Sequence, residues 1–271
     1  SIANYQFMLI INTFLTSSII FPAYFLLKKY CSDKFSLLGS ILVAILPSVI
    51  LYNFVVMSEN LFIPLFVFSL WFVIEAFETN SKKWGILAGF SIFLLFFTRS
   101  TGIAMIIGFF LALAYYVFIQ SKMKGSATIA KGNIYSILAF CIPTILWLYY
   151  KAHLVITPAA DYNINAYCSA IFRAVSNIDS FMQLLTLIIH EFEFLILASY
   201  FILFVLALYS LYPILLSCTN NFDDVSNFKE NQKMMAIQAG VIYFLVSSSL
   251  LIIITVAHMF LGSGNIYYNI F

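Results

Sequence analysis

The sequence has little charge. Lys and Arg number 13 and Asp and Glu 11, which together make only 9% of 271 residues. A soluble domain carries about 25% charged residues over its surface, so this composition excludes that class of protein. The hydrophobic fraction is 63%, the mean hydropathy is +1.01 and there are 30 phenylalanines. These values predict a polytopic membrane protein.

Cysteine and histidine are also scarce. There are four cysteines, with no CxxC spacing, and three histidines, which excludes a disulfide scaffold or a clustered zinc site. We interpret the cysteines as unpaired apolar residues; they are Cys31, Cys141, Cys168 and Cys218. The stretch HEFEF begins at His190 but lacks the second histidine of HExxH. Interfacial anchoring by His190 and Glu191 is therefore favoured over metal binding. Nothing in the charge pattern predicts a nucleic-acid partner.

Long apolar runs dominate what remains. A helix needs about 20 apolar residues to cross the hydrocarbon core of a bilayer. The sequence predicts an all-α, polytopic transmembrane bundle of about eight spans. Their approximate limits are 7–27, 35–55, 60–77, 84–98, 101–119, 134–150, 192–216 and 234–261.

The lysines and arginines are distributed unevenly between the two sets of alternate connections. One set holds ten of them, and the other holds only Arg99, Lys151 and Arg173. Because Lys and Arg are enriched in cytoplasmic loops, we predict that the ten-residue set is cytoplasmic and that both chain ends are extracytoplasmic. The ten are Lys28, Lys29, Lys34, Lys82, Lys83, Lys122, Lys124, Lys131, Lys229 and Lys233.

Glu59 and Arg99 then lie in short connections on the extracytoplasmic side. Two crossings and the Arg99 turn fit into the residues between Lys83 and Lys122, so we expect this turn below the lipid headgroups. A charge at that depth needs a partner, water or an anionic ligand. The alternatives are an Arg99 that reaches the outer lipid phosphates and a Glu59 that only supports a helix N-terminus or sits at the interface.

The whole chain, 1–271, is predicted to be one transmembrane domain. It includes a long extracytoplasmic loop over 151–191, in which 166–190 has the apolar spacing of a helix lying on the membrane. A polar cytoplasmic loop is predicted over 217–233, and we assign it no chemistry.

Two stretches resemble the core of the GT-C glycosyltransferases. They are FLLKKYCSDKFSLLGSILVAILPSVILYNFVVMSENLF and SKKWGILAGFSIFLLFFTRSTG. They are most similar to the branch of the protein O-mannosyltransferases and the bacterial lipid A aminoarabinose transferase. The shared features are a span ending in basic residues, an acid opening the third span, and a Thr-Lys/Arg-small turn. Members often carry Asp where this chain has Glu59.

The resemblance implies a membrane glycosyltransferase that takes a sugar from a polyprenyl-phosphate donor and passes it to a lipid, glycan or protein acceptor on the extracytoplasmic side of the cell membrane. It implies that Glu59 is catalytic and that Arg99 binds the donor phosphate. Further candidate substrate contacts are Ser58, Asn60, His153, Asp161 and His258. No cofactor is required by this interpretation, although a divalent metal is a further candidate.

In that family the principal catalytic acid lies in a first outer loop, which has no counterpart here. We therefore expect the chain to be a fragment, inactive alone. Two other classes of protein remain open. A transporter or flippase usually has inverted repeats and charges at the bilayer midplane, neither of which the sequence has. In a non-catalytic scaffold, Glu59 and Arg99 would only anchor helix ends.

Overall fold

The computed structural model describes residues 2–46, 49–50, 58–124, 131–154 and 228–266, with 181–182, 185–186 and 189 between them. In this part of the chain all regular structure is helical, which confirms the all-α prediction. The helices are α1 (Ile2–Ser17), α2 (Ile20–Lys28), α3 (Asp33–Ala44), α4 (Glu59–Thr79), α5 (Lys82–Thr98), α6 (Ile103–Lys124), α7 (Lys131–Leu154) and α8 (Phe228–Ile266), with a 3-10 turn at Ser100–Gly102.

Five stretches of the described residues are long and apolar enough to cross a membrane. They are Tyr5–Lys28, Glu59–Thr79, Ile103–Ser121, Lys131–Tyr150 and Gln232–Thr255. Each coincides with an expected span, and α5, with 17 residues, covers the expected span at 84–98. The multi-pass membrane prediction is thus confirmed. The expected span at 192–216 lies outside the described residues.

One expected span needs correction. We predicted a continuous helix over 35–55, but α3 ends at Ala44 and the next two residues are not helical. The sequence continues with Pro47. Proline disfavours helical geometry at the residue before it and removes a backbone hydrogen-bond donor. The length of the apolar run therefore overestimated the length of this helix.

Small residues bring α5 and α7 into backbone contact. A Cβ added at Gly85 would collide with the carbonyl oxygen of Gly132, and one added at Gly89 would collide with that of Ser136. This arrangement is the small-xxx-small packing of membrane helices. Lipid tails are as apolar as the helices, so there is no hydrophobic driving force for association, and van der Waals contact between the closely packed backbones stabilises the pair instead. It fixes α5, and hence the Arg99 turn that follows, against α7.

Helix α8 completes the bundle by hydrogen bonding to two earlier helices, α4 and α6. The hydroxyls of Tyr243 and Ser69 lie 2.8 Å apart, and Tyr115 Oη donates to Gln238 Oε1 over 3.0 Å. Gln232 Nε2 donates to the Glu78 carbonyl over 2.9 Å. These buried polar contacts set the register of α8 against α4 and α6.

The ends of the bundle are chemically distinct. One end, here called the basic end, gathers Lys29, Asn80, Lys82, Lys131 and Gln232. Asn80 ends α4 in the left-handed conformation (φ 50°), and its side chain accepts a hydrogen bond from Gly132 N at the start of α7. At the opposite end, here called the Arg99 end, helix α4 begins and helix α5 ends.

Lys29 is held at the basic end by two carboxylates. Its Nζ lies 2.8 Å from Glu75 Oε1 and 2.6 Å from Glu78 Oε2. Burial by itself lowers the pKa of Lys29, but hydrogen bonds and charge from the two glutamates outweigh it, so the pKa is raised above 10.5. The glutamates that close α4 therefore pair with α2 and join the two helices.

Candidate functional site

Glu59 is the first residue of α4. Ser58 precedes it without capping the helix through its side chain; instead Ser58 Oγ donates to Glu59 Oε2 over 3.2 Å. The free amide groups and dipole of a helix N-terminus attract acidic side chains, so Glu59 suits the first position of α4. The predicted acid is thus fixed at the Arg99 end by local helix geometry.

Arg99 lies on the tight turn between α5 and α6. Its backbone is extended (φ −148°, ψ 143°), and its N–H still donates to Leu95 O. Gly102 N donates to Arg99 O over 2.9 Å, and a Cβ added at Gly102 would lie 2.5 Å from Leu95 O. Glycine is therefore required for this turn to fold back against the end of α5.

The structure brings the two predicted residues together. Arg99 Nη1 donates to Glu59 Oε1 and forms an ion pair across α4 and α5. The Arg99 side chain is 36% exposed and that of Glu59 22%. Both side chains are therefore partly exposed, and Arg99 is paired with a carboxylate.

The other predicted contacts fall in different surroundings. Ser58 is exposed beside the pair, whereas Asn60 is 1% exposed and faces the core. His153 is exposed in the last turn of α7, with its ring 4.4 Å from that of Tyr149. Helix α7 runs from the basic end towards the Arg99 end, so His153 shares the side of Glu59. Asp161 and the His190 stretch lie outside the described residues.

Helix α8 reaches beyond the Arg99 turn. It contacts the Ser100–Gly102 turn, and Ile254 is the last of its described side chains that packs against the core. From there it continues to Ile266, three turns or about 18 Å further. His258 belongs to this extension; its side chain lies outside the described part. The ion pair is therefore recessed relative to the end of α8.

An apolar surface groove runs along the packed helices α6 and α8 on the same half of the bundle. Its volume is about 340 Å³, and it is lined by Ile107, Leu111, Leu245, Val246, Ser249 and Leu250. Ile107 lies one turn into α6, just below the Arg99 turn. No sequence signal marked this groove, because apolar residues facing lipid and apolar residues facing a cleft have the same pattern.

A metal was a candidate at the site. Among the described residues, no three His, Cys, Asp or Glu side chains converge. Glu59 is the sole described carboxylate at the Arg99 end. The divalent metal therefore stays a prediction from the resemblance, and we assign no step of the chemistry to it.

The described helices thus form a membrane bundle that carries an acid–base pair at one end. The comparison with known families agrees. Residues 3–147, a little over half of the chain, match the family described as Dolichyl-phosphate-mannose-protein mannosyltransferase. The chain belongs to this family, which confirms the resemblance to the GT-C glycosyltransferases. The class is that of membrane mannosyltransferases with polyprenyl-phosphate sugar donors. No curated protein and no solved structure matches the chain.

Proposed function

We propose that this protein transfers a sugar, mannose by family, from a polyprenyl-phosphate donor to a lipid, glycan or protein acceptor on the extracytoplasmic side. The observation that carries the proposal is the Glu59–Arg99 ion pair, partly exposed at one end of the bundle. Ten of thirteen Lys and Arg belong to the connections of the opposite side, which supports an extracytoplasmic site.

Arg99 binds the donor phosphate in this proposal. A guanidinium has five N–H donors in a planar fork that matches phosphate oxygens. The hydrogen bond to Glu59 uses Nη1, so Nη2 and Nε keep their donors for the donor phosphate. Because the pair is recessed, these charge-assisted hydrogen bonds form in a partly dehydrated environment, where they are stronger than in water.

Glu59 orients the guanidinium and supplies negative charge at the reacting centre. Sugar transfer develops oxocarbenium character at the anomeric carbon, which a nearby carboxylate stabilises. The carboxylate is itself held by the Ser58 hydroxyl, so it keeps its position before the donor arrives. Its two roles have different kinetic signatures, since orientation affects donor binding and charge stabilisation affects turnover.

The apolar groove between α6 and α8 provides a surface for the lipid tail of the donor. A polyprenyl chain with its phosphate at Arg99 would run from the turn towards the bilayer centre, along the side where Ile107 and Leu111 line the groove. Apolar contacts would retain the tail there while Arg99 fixes the phosphate.

The competing transporter hypothesis has less support. Every charged residue of the described spans lies near a helix end, as Glu59, Glu75 and Glu78 do in α4, whereas transporters place coupling charges near the midplane. An acid and a base at the same membrane face therefore favour an enzyme that reacts at that face over a transporter.

The proposal is tested in the intact protein with a radiolabelled polyprenyl-phosphate-mannose donor in proteoliposomes. Glu59→Gln and Arg99→Ala should each lower transfer by about tenfold or more, because removing a transition-state charge contact costs a few kcal/mol. Glu59→Gln should reduce kcat more than it raises KM. Arg99→Ala should raise the KM for the donor, and Arg99→Lys should restore part of the loss.

Asp33→Asn is the matched control, because it converts an exposed carboxylate to an amide at the other end of the bundle. It should keep transfer within about twofold of the wild type, well inside the tenfold loss expected at the site. If Glu59→Gln and Arg99→Ala behave like Asp33→Asn, both residues only anchor helix ends. Movement of the donor between leaflets with no transfer to any acceptor would favour the flippase.

A further inference from the structure

The lysines of the basic end fall into two groups with different partners. On the side of α2 and α4, Lys28 and Lys29 are paired with carboxylates, whereas Lys34 on α3 is exposed. Lys28 Nζ lies 3.1 Å from Asp33 Oδ1, and Lys29 is bound by Glu75 and Glu78. This half of the basic end carries little unbalanced charge.

On the side of α5 and α7, two lysines lie over aromatic rings without a described carboxylate partner, whereas Lys28, whose Nζ lies 5.6 Å from the centre of the Tyr24 ring, also has Asp33. Lys82 Nζ lies 5.0 Å from the centre of the Tyr135 ring, and Lys83 Nζ lies 5.2 Å from that of Trp84. Lys82, Lys83 and Lys131 are all exposed. Among the described side chains no carboxylate lies within 4.0 Å of any of the three. Within the described part of the chain, this half of the basic end therefore has no carboxylate partner.

The packing of α5 on α7 brings two of these cations to one place. Gly85 abuts the backbone of Gly132, so the first turns of the two helices lie side by side. Lys82 reaches across this seam to Tyr135, and Lys131 lies one turn before Tyr135 on the same face of α7. Both helices also begin here, and the N-cap of α5 has no side-chain cap hydrogen bond, so partial positive charge from the amide groups adds to the ammonium groups.

The neighbouring surface is apolar. Ile86 on α5 is 41% exposed, and Ile134 and Leu138 on α7 are 45% and 46% exposed. A ligand bound to Lys82 and Lys131 would thus contact ammonium groups and aromatic rings at the membrane interface, and an apolar helix surface further into the bilayer. That order of chemistry, from the headgroup region inward, is the order found along a phospholipid.

We infer that Lys82, Lys131 and the first turns of α5 and α7 bind the phosphate of an anionic phospholipid in the leaflet at the basic end. Lys83 beside Trp84 adds to the attraction. The acyl chains lie along Ile86, Ile134 and Leu138. This site is at the opposite end of the bundle from Arg99, and the inference does not depend on the proposed sugar transfer.

The test measures which lipids co-purify with the intact protein. The protein is equilibrated with phosphatidylcholine bilayers containing a minority of phosphatidylglycerol, extracted in detergent, and the retained lipids are quantified by mass spectrometry. The wild type should be enriched in phosphatidylglycerol. Lys82→Gln/Lys131→Gln should lower that enrichment by about fivefold or more, since each lysine near an anionic surface contributes about tenfold or less.

Lys28→Gln/Lys34→Gln is the matched control, because it removes the same charge at the same end, from α2 and α3. It should change the enrichment by less than about twofold, because Lys28 is already paired with Asp33 and Lys34 lies on α3, outside the seam between α5 and α7. Equal losses in both double variants, or no loss in either, would overturn the site. Displacement of phosphatidylglycerol by an equal concentration of inorganic phosphate would also overturn it, because a lipid site gains affinity from the acyl chains. Far-ultraviolet circular dichroism identifies any variant that has not folded.

Discussion

At the scale of single residues, Glu59 and Arg99 are 40 positions apart and meet through their side chains. Their presence on one face of the membrane could be predicted, because it follows from the alternation of basic connections. Their direct ion pair could not, since it depends on how α4 and α5 are rotated about their axes. In lipid, apolar residues surround each helix and leave no polar face to define that rotation.

Gly102 provides a test of the turn that carries Arg99. Gly102→Ala places a Cβ about 2.5 Å from the Leu95 carbonyl, which is backbone and cannot move aside. We expect transfer activity to fall by about tenfold or more, because small displacements of a catalytic group are costly. Activity is measured with the labelled donor, and thermal unfolding is followed in parallel.

Gly39→Ala is the control for this change. Its Cβ would meet the end of the Leu27 side chain at 2.6 Å, and that side chain can rotate away. Near-normal activity is expected. If Gly102→Ala is equally active, the turn tolerates a side chain and does not position Arg99.

At the scale of helices, the long apolar runs predicted most elements. The expected limits of 60–77 and 84–98 are close to α4 and α5, and the structure extends each by a few residues. The prediction was wrong where proline interrupts the run at Pro47. It also missed the pairing of α5 with α7, although GxxxG is present at Gly85 and Gly89, because the motif does not identify its partner helix.

Gly89 tests that pairing directly. Gly89→Ala puts a methyl group against the Ser136 carbonyl and the Ala139 methyl of α7, so the helices must separate. We expect the protein to lose roughly 1–3 kcal/mol of stability, as overpacked interiors do. Unfolding by a denaturing detergent, followed by the fluorescence of Trp84 and Trp147, measures the loss. Gly39→Ala again serves as the reference, and an equally stable Gly89→Ala protein would contradict close α5–α7 contact.

At the scale of the whole molecule, the structure separates a basic end from the Arg99 end, as the lysine pattern predicts. The neighbours of α8 could not be predicted from the sequence. These neighbours are α4 and α6. Their pairing with α8 depends on single hydroxyl and amide groups, such as those of Ser69 and Gln238, which lie within otherwise uniform apolar surfaces.

Sidedness is tested by cysteine labelling. After the four native cysteines are replaced by serine, Ser58→Cys marks the Arg99 end and Ser81→Cys marks the basic end. A membrane-impermeant maleimide added to intact cells should label Ser58→Cys. It should label Ser81→Cys only after the membrane is opened. The reverse result would place the ion pair in the cytoplasm and refute an extracytoplasmic reaction.

The late position of α8 in the chain has a consequence for biosynthesis. Ser69 and Tyr115 leave the ribosome more than a hundred residues before their partners Tyr243 and Gln238. During that interval neither contact with α8 can form, although Ser69 Oγ still donates to Phe66 O within α4. Nascent protein truncated ahead of Phe228 would therefore lack the polar contacts that join α4 and α6 to α8.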